Sequence, residues 1–306
     1  MKIETTNQVK ITIGIPVYNG EEFLEEKITS ILNQDFTNFE LIISDNASTD
    51  STKEICSKFA TNDKRVKFFS HEKNLGATWN FNFILKKARG EYFMWTSADD
   101  KILPEFYEKN IEILEKNPTI VCSASQVKYF GKNRNYWVER STRGYFKALK
   151  KKMVKRFQNL QNYPVSGTFQ SKFRYYLKLR GHHHVFYGIY RTEQLKKIWL
   201  LDVNFTESVD LVTMLSALRF GDFHVNDEVL MERYDGGVSA QGFFNYKKSQ
   251  RLNFVNAISF NYPFTRWCFR NFGYALCLKN LDLFLIWNLE PMFFLIVNII
   301  RKMDND

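Results

Sequence analysis

Along residues 1–125, short apolar runs alternate with amphipathic stretches. Ile11-Thr12-Ile13-Gly14-Ile15-Pro16-Val17 is β-branched and ends in turn residues, which predicts a buried strand. Phe23, Leu24, Ile28, Ile31 and Leu32 recur at helical spacing and predict a helix from about Glu21 to Asn33. Phe39 to Ser44 reads as a second strand, followed by a helix with Ser48 or Asp50 as its N-cap and Glu54 in its first turn. Val66 to Ser70 is a third strand, and Ala77 to Ala88 a helix ended by Gly90. Glu91 to Trp95 is a fourth strand, Pro104 opens a helix running to about Lys116, and Ile120 to Ser125 is a fifth strand.

This alternation predicts an α/β fold, a mostly parallel central sheet with helices on both faces. Ligands of such sheets sit at the carboxyl ends of the strands. From 126 to 240 the pattern loosens, with a helix from Leu211 to Phe220 closed by Gly221. Residues 241–306 read as helical and apolar. The expected organisation is therefore 1–125, then 126–240 as the second half of the same domain, then a helical C-terminal extension over 241–306.

Composition narrows the picture. The 306 residues are 44% hydrophobic and 25% charged, which suits a folded chain with one substantial core. Many of the 29 Phe, 15 Tyr and 6 Trp fall in the C-terminal third, where a membrane surface competes with a core as their explanation. The formal charge of +10 points to polyanions: nucleic acid, anionic lipid or a phosphorylated substrate. No RNA-recognition, helix-turn-helix or zinc-finger pattern is present, so nucleic acid is not expected as a partner. The basic run from Lys147 to Arg156 fits a solvated helix face or a docking site. Cys56, Cys122, Cys268 and Cys277 lack metal or redox spacing and read as reduced thiols of a cytoplasmic protein. Met1 to Lys10 is polar and carries no apolar signal segment, which argues against export.

Candidate chemistry lies after the strands, and it is acidic. There is no G-x-G-x-x-G after the first strand and no G-x-x-x-x-G-K-[ST] anywhere, so the phosphate cradle of dinucleotide-binding and P-loop proteins is missing. Strand one ends in Pro16-Val17-Tyr18-Asn19, strand two in Ser44-Asp45-Asn46-Ala47-Ser48-Thr49-Asp50, and strand four in Thr96-Ser97-Ala98-Asp99-Asp100. Asp45 and Asp50 could accept N–H or O–H groups of a nucleoside. Adjacent carboxylates such as Asp99 and Asp100 suit a hard divalent cation, which neutralises a pyrophosphate that acids alone would repel.

These motifs, with Asn74-Leu75-Gly76-Ala77 and Asn80, resemble the nucleotide-sugar-binding half of glycosyltransferase family 2, whose fold is the glycosyltransferase A type. The resemblance covers residues 9–125 and implies an inverting transfer from a nucleotide-diphosphate sugar to an acceptor hydroxyl. By it, Pro16, Tyr18 and Asn19 would line the base and ribose pocket, and Asp45 would contact the base. Asn74 and Gly76 would flank the nucleotide. Asp99 would be the metal-binding acid, with Asp100 nearby, and the cofactor would be Mn2+ or Mg2+. The family commonly writes this element Asp-x-Asp-Asp. Here Ser97 replaces the first acid, and its hydroxyl can bind a ribose or a metal-bound water. Asn46 stands where a second Asp is frequent. UDP is the family's commonest nucleotide, with GDP and dTDP open.

The second half would supply the acceptor side. Phe186-Tyr187-Gly188-Ile189-Tyr190-Arg191 resembles the strand before the catalytic base, and Glu207-Ser208-Val209-Asp210 the segment carrying it. Asp210 is the candidate base, with Glu207 as the alternative. Both are also acids that a helix N-terminus favours without catalysis. Arg233, ahead of Gly236-Gly237, would stabilise the departing diphosphate. His182-His183-His184 cannot all face one ion, since strand neighbours point opposite ways.

Residues 281–300 are long enough to span a bilayer, but Glu290 and Pro291 interrupt them. Two short helices flanked by Arg266, Arg270, Lys279, Arg301 and Lys302 suit a peripheral anchor through 276–303 on an anionic inner leaflet. Packing on the catalytic domain or in an oligomer is the competing account. The expected acceptor is a saccharide or lipid-linked glycan of a bacterial surface polysaccharide. The alternatives are a nucleotidyltransferase and a non-catalytic nucleotide-sugar-binding or scaffold protein of the same fold.

Overall fold

The computed structural model describes residues 8–131, 162–179, 184–199, 209–234 and 262–289. Four strands form the centre: β1 (Ile11–Val17), β2 (Phe39–Asp45), β3 (Val66–Ser70) and β4 (Tyr92–Trp95). They lie in the order β3-β2-β1-β4, and all three pairings are parallel. Between them run α1 (Glu21–Leu32), α2 (Thr52–Asn62) and α3 (Ala77–Lys87). Each crossover carries the chain back along one or the other face of the sheet, so every one of these strands ends at the same edge.

Beyond β4 the order of strands in the sheet departs from their order in the chain. β5 (Lys101–Ile102) and α4 (Phe106–Lys116) come next in the chain, followed by β6 (Ile120–Phe130). β6 does not pair with β4, because β7 (Ile189–Arg191) lies between them, antiparallel to both. β8 (Asp222–Tyr234) pairs parallel with β6, and β5 closes the far edge antiparallel to β8. The full order is β3-β2-β1-β4-β7-β6-β8-β5. The boundary expected after residue 125 falls inside β6, so the two halves are parts of one sheet.

Alternation along β1 divides the core. Ile11, Ile13 and Ile15 join Leu24, Ile28 and Ile31 of α1 and Phe106, Ile111 and Leu114 of α4 on one face. The other face holds Phe93, Trp95, Ile84 of α3, and residues of α5 (Phe169–Leu179) and α7 (Val209–Ala217). Gly14 lies under α3, where a Cβ would come within 2.5 Å of Ile84 Cγ2. The C-terminal helices α8 (Tyr262–Phe272) and α9 (Tyr274–Leu278), with a further helical stretch over 281–289, contribute Phe264, Trp267, Leu283 and Phe284 to that same core. Burial of each large apolar side chain stabilises by about 1.5–3 kcal/mol. Between α5 and α7 come the 3-10 turn His184–Tyr187 and α6 (Thr192–Trp199).

Several element ends differ from expectation. α2 begins at Thr52 behind Ser51, not behind Ser48 or Asp50. α4 begins at Phe106, after Pro104 and after Glu105 in the left-handed region at φ 66°. Helix α3 ends at Lys87, with Ala88 extended, so Gly90 is not its terminator. Gly90 is required by close approach: a Cβ there would lie 2.4 Å from Thr12 N and 2.7 Å from Ile11 C. Those atoms belong to the central strand and cannot yield cheaply. Gly90→Ala is therefore expected to lower stability by about 1–3 kcal/mol. Urea unfolding checks this, and an unchanged midpoint would remove the close-approach explanation.

Candidate functional site

The loops after β1 and β2 interlock before any ligand is considered. Asn19, at φ 53°, accepts from Thr49 N–H through Oδ1 (2.9 Å), while its own N–H donates to Ser48 Oγ (2.8 Å). Gly20 N–H donates to Thr52 Oγ1 at 2.8 Å. Asp50 accepts from Glu21 N–H and Thr52 N–H, each at 3.1 Å, joining the starts of α1 and α2. Burial opposes the charge on Asp50, but the hydrogen bonds from Thr52 and Glu21 outweigh it and lower its pKa. Asp45 is buried, and its Oδ1 accepts from both Ser48 N–H (3.0 Å) and the Ser48 hydroxyl. Asp45 Oδ2 faces Ser70 Oγ at 3.5 Å.

A second interlock ties β2 to the loop before α3. Asn46 donates through Nδ2 to Asn74 Oδ1 (2.9 Å) and accepts from Leu75 N–H (3.0 Å). Asn74 Oδ1 also accepts from Gly76 N–H, and Gly76 sits at φ 89°. The amide at position 46 both donates and accepts here, which a carboxylate could not do. Asn80 Nδ2 donates to Ser44 O at 2.8 Å. Asn80 Oδ1 and Thr96 Oγ1 are buried without a hydrogen-bond partner among the described residues. Tyr18 stands 51% exposed over this edge, while Pro16 is half-buried beneath it.

His71 joins the same edge and was not singled out by sequence. Its Nε2 lies 2.8 Å from Ser44 Oγ, and its ring meets Trp79 edge-on at 4.7 Å. The available signal was its place directly after β3, matching the polar residues after β1 and β2.

The loop from β4 to β5 carries the acids, and the two adjacent carboxylates have different surroundings. Ser97 Oγ donates to Asp99 Oδ1, and Asp99 is half-buried beside the half-buried Ala98. Asp100 is only 3% exposed. Arg233 Nε, from the end of β8, donates to its Oδ1 at 3.4 Å and lies 3.2 Å from Oδ2. Tyr234 N–H also reaches Oδ1, at 3.3 Å. Lys27, buried on α1, donates through Nζ to the Asp100 carbonyl at 2.7 Å. Burial raises the Asp100 carboxyl, with Arg233 and Lys27 opposing that shift. Burial lowers the Lys27 ammonium to about 8.

Tyr187 connects this cluster to the second half. The Arg233 guanidinium sits 4.5 Å from its ring centroid. Burial pushes the Tyr187 phenol up to about 12, Arg233 opposes this, and Asp100, Asp210 and Asp99 each add to it. Asp210 lies in the first turn of α7 and accepts Leu211 N–H at 2.8 Å. Glu207, Gly236, Gly237, His182, His183, Pro291 and the basic run 147–156 lie outside the described residues.

This geometry departs from the expectation of a cation shared by Asp99 and Asp100. Among the described residues no three or more His, Cys, Asp or Glu side chains gather to hold a metal. Asp100 is engaged by Arg233 and Tyr234, and turning it to a cation would break its ion pair with Arg233. The Asp99 carboxylate accepts from the Ser97 hydroxyl and is half-buried. Mg2+ is commonly held by one or two carboxylates together with substrate phosphates, and Asp99 fits that pattern.

The family model of glycosyl transferase family 2 matches residues 12–180. An uncharacterised glycosyltransferase of Haemophilus influenzae is 38% identical over 115 residues, which is 38% of this chain and 46% of that protein. The chain thus spans about half the length of that curated relative. S. aureus TarS 1–349 is similar with a TM-score of 0.54 at 21% identity, covering 92% of this chain and 82% of that one. Crystal structures of TarS in complex with UDP and with UDP-GlcNAc are also similar to this chain. A mannosyltransferase from Pyrobaculum calidifontis in complex with GDP-Man and Mn2+ has a TM-score of 0.51 at 15% identity, covering 81% and 66% of the two chains. These likenesses show the fold, an α/β sheet of the glycosyltransferase A type with C-terminal helices.

The unequal surroundings of the two acids have a measurable consequence. Asp100→Asn removes the buried carboxylate that pairs with the half-buried Arg233 and stands near the buried Lys27, and is expected to cost about 3–5 kcal/mol of unfolding free energy. Asp99→Asn, which breaks no buried ion pair, is expected to cost under about 1 kcal/mol. Equal losses in a urea titration would contradict the assignment of Asp100 to Arg233.

Proposed function

The chain belongs to glycosyl transferase family 2, and on that premise we propose that it moves a sugar from a nucleotide-diphosphate donor to an acceptor hydroxyl with inversion. The observation that carries this is the ion pair of Arg233 with Asp100, with the guanidinium resting on the Tyr187 ring, next to Asp99 in the loop at the carboxyl end of β4. Structures similar to this chain hold UDP, UDP-GlcNAc or GDP-Man, which supports a nucleotide-sugar donor, with UDP as the leading choice.

Each residue then has a task. The exposed Tyr18 ring covers the base, with Pro16 and Asn19 shaping the pocket. Asp45 Oδ2 takes the base N–H, since Oδ1 is already held by Ser48. Asp50, Asn46, Asn74 and Gly76 keep the loops in place around the nucleotide, and Asn80 Oδ1 remains for a ligand or water. Asp99 would hold a divalent ion, with Ser97 orienting its carboxylate; when bound, that ion neutralises diphosphate charge. Arg233, held by Asp100 and by the face of Tyr187, stabilises the charge that develops on the leaving diphosphate. Asp210 removes the acceptor proton while the hydroxyl attacks from the opposite side of the sugar.

Residues 1–125 act as the donor half and 126–240 as the acceptor half. The acceptor is a saccharide or lipid-linked glycan of surface polysaccharide assembly, on the cytoplasmic side of the membrane. Among the described residues no helix is long and apolar enough to cross a membrane.

Donor turnover with Mn2+ or Mg2+ tests the proposal. Asp210→Asn is expected to lower kcat by about 10²–10⁴ while donor affinity is retained. Asp99→Ala should instead weaken donor binding, read as a smaller ligand-induced rise in thermal stability. If the unmodified protein binds no nucleoside diphosphate or nucleotide sugar with either metal, the proposal fails.

A further inference from the structure

The C-terminal helices bury one side and leave the other bare. α8 buries Phe264, Trp267 and Cys268, and exposes Tyr262, Arg266 and Arg270 at four-residue intervals. In α9 and the stretch 281–289, Cys277, Leu283 and Phe284 are buried. Among their exposed positions, Tyr274, Leu278, Leu281, Leu285 and Leu289 are spaced by three or four residues and form one stripe, with exposed Ile286 beside it. Tyr274 is 72% exposed and Leu289 57%.

The two arms lie side by side. Asn288 Nδ2 donates to Thr265 Oγ1 at 2.8 Å, and the Phe264 and Trp287 rings are 5.5 Å apart. Both arms turn their buried side to the same neighbour, α5: Phe272 meets Phe173 at 5.1 Å, and Trp287 Nε1 donates to Leu177 O at 3.0 Å. Helical geometry then places the two bare stripes on one outward face.

Charge narrows what can cover that face. Residues 262–289 contain Arg266, Arg270 and Lys279 but only one acid, Asp282. Arg174 takes both Asp282 carboxylate oxygens, at 2.9 and 2.8 Å. A face with leucines and unbalanced positive charge opposes a second copy of itself, because a two-fold contact sets like charges together. A bilayer with anionic headgroups satisfies both features: its acyl boundary takes the leucines and tyrosines, and its surface potential attracts the cations.

We propose that this outward face docks on an anionic lipid bilayer, lying on the membrane rather than crossing it. It deepens the cytoplasmic membrane setting given to the transfer reaction, yet needs neither donor nor turnover and can be tested without them. The full chain is mixed with vesicles of equal parts phosphatidylglycerol and phosphatidylcholine, or of phosphatidylcholine alone, and floated on a density gradient. Two variants are compared, Leu285→Glu/Leu289→Glu and Arg266→Gln/Arg270→Gln/Lys279→Gln, with circular dichroism to confirm folding and light scattering to read oligomeric state. The unmodified chain is expected to float with the anionic vesicles only, and each variant to bind about tenfold more weakly or worse while remaining folded. Failure of the unmodified chain to float would overturn the proposal, as would equal flotation of chain and variants. A dimer that the leucine variant dissolves would assign the face to a second copy and overturn it as well.

Discussion

A buried ion pair between chain segments far apart in sequence holds the site together. Asp100 follows the central strand β4, whereas Arg233 ends β8, which lies across the sheet beyond β7 and β6. Lys27, from α1 on one face of the sheet, closes the cluster through the Asp100 carbonyl. Asp100 and Lys27 are buried and Arg233 is half-buried, so breaking the pair loses its attraction without restoring full solvation. That pairing fixes where the half carrying β8 stands relative to the half carrying β1 and β4. It also divides the labour of two adjacent acids: Asp100 positions Arg233, and Asp99 is left at the open edge.

The sheet order supplies the remaining constraint. Parallel strands joined by right-handed crossovers deliver their following loops to one edge. The loops there are preorganised by their own hydrogen bonds, Asn19 to Thr49, Asp50 to Glu21 and Thr52, and Asn46 to Asn74. Much of the acid and amide content that reads as ligand chemistry is spent on loop geometry. Among the described residues, groups with capacity to spare include the Tyr18 ring, Asp45 Oδ2, Asn80 Oδ1, Thr96 Oγ1 and the Asp99 carboxylate.

How much of this was legible in sequence depended on range. Strands β1 to β4 and their helices announce themselves through β-branched runs and helical spacing, and their ends fall within a residue or two of expectation. β7 and β5 have three and two residues, too few for any periodicity to register. β7 is legible only through the resemblance of Phe186–Arg191 to a family strand, and its place between β4 and β6 has no local signal. Gly90 was legible as a special glycine but not for the right reason, because its neighbour is a strand nearly 80 positions away. The motif Ser97-Ala98-Asp99-Asp100 was visible as an acid pair. What separates its members is Arg233, 133 positions distant, together with Lys27, and no local pattern carries that information. Tyr187 was quoted only as part of a strand motif, although it is the ring against which Arg233 rests.

The account's central claim is that Asp100 and Arg233 act as one unit. A double-mutant cycle in unfolding free energy, using Asp100→Asn, Arg233→Met and the pair together, tests it most directly. A coupling of about 1–3 kcal/mol is expected, with the double variant losing clearly less than the sum of the singles. Losses that simply add would show that the two residues do not depend on each other, and would contradict it.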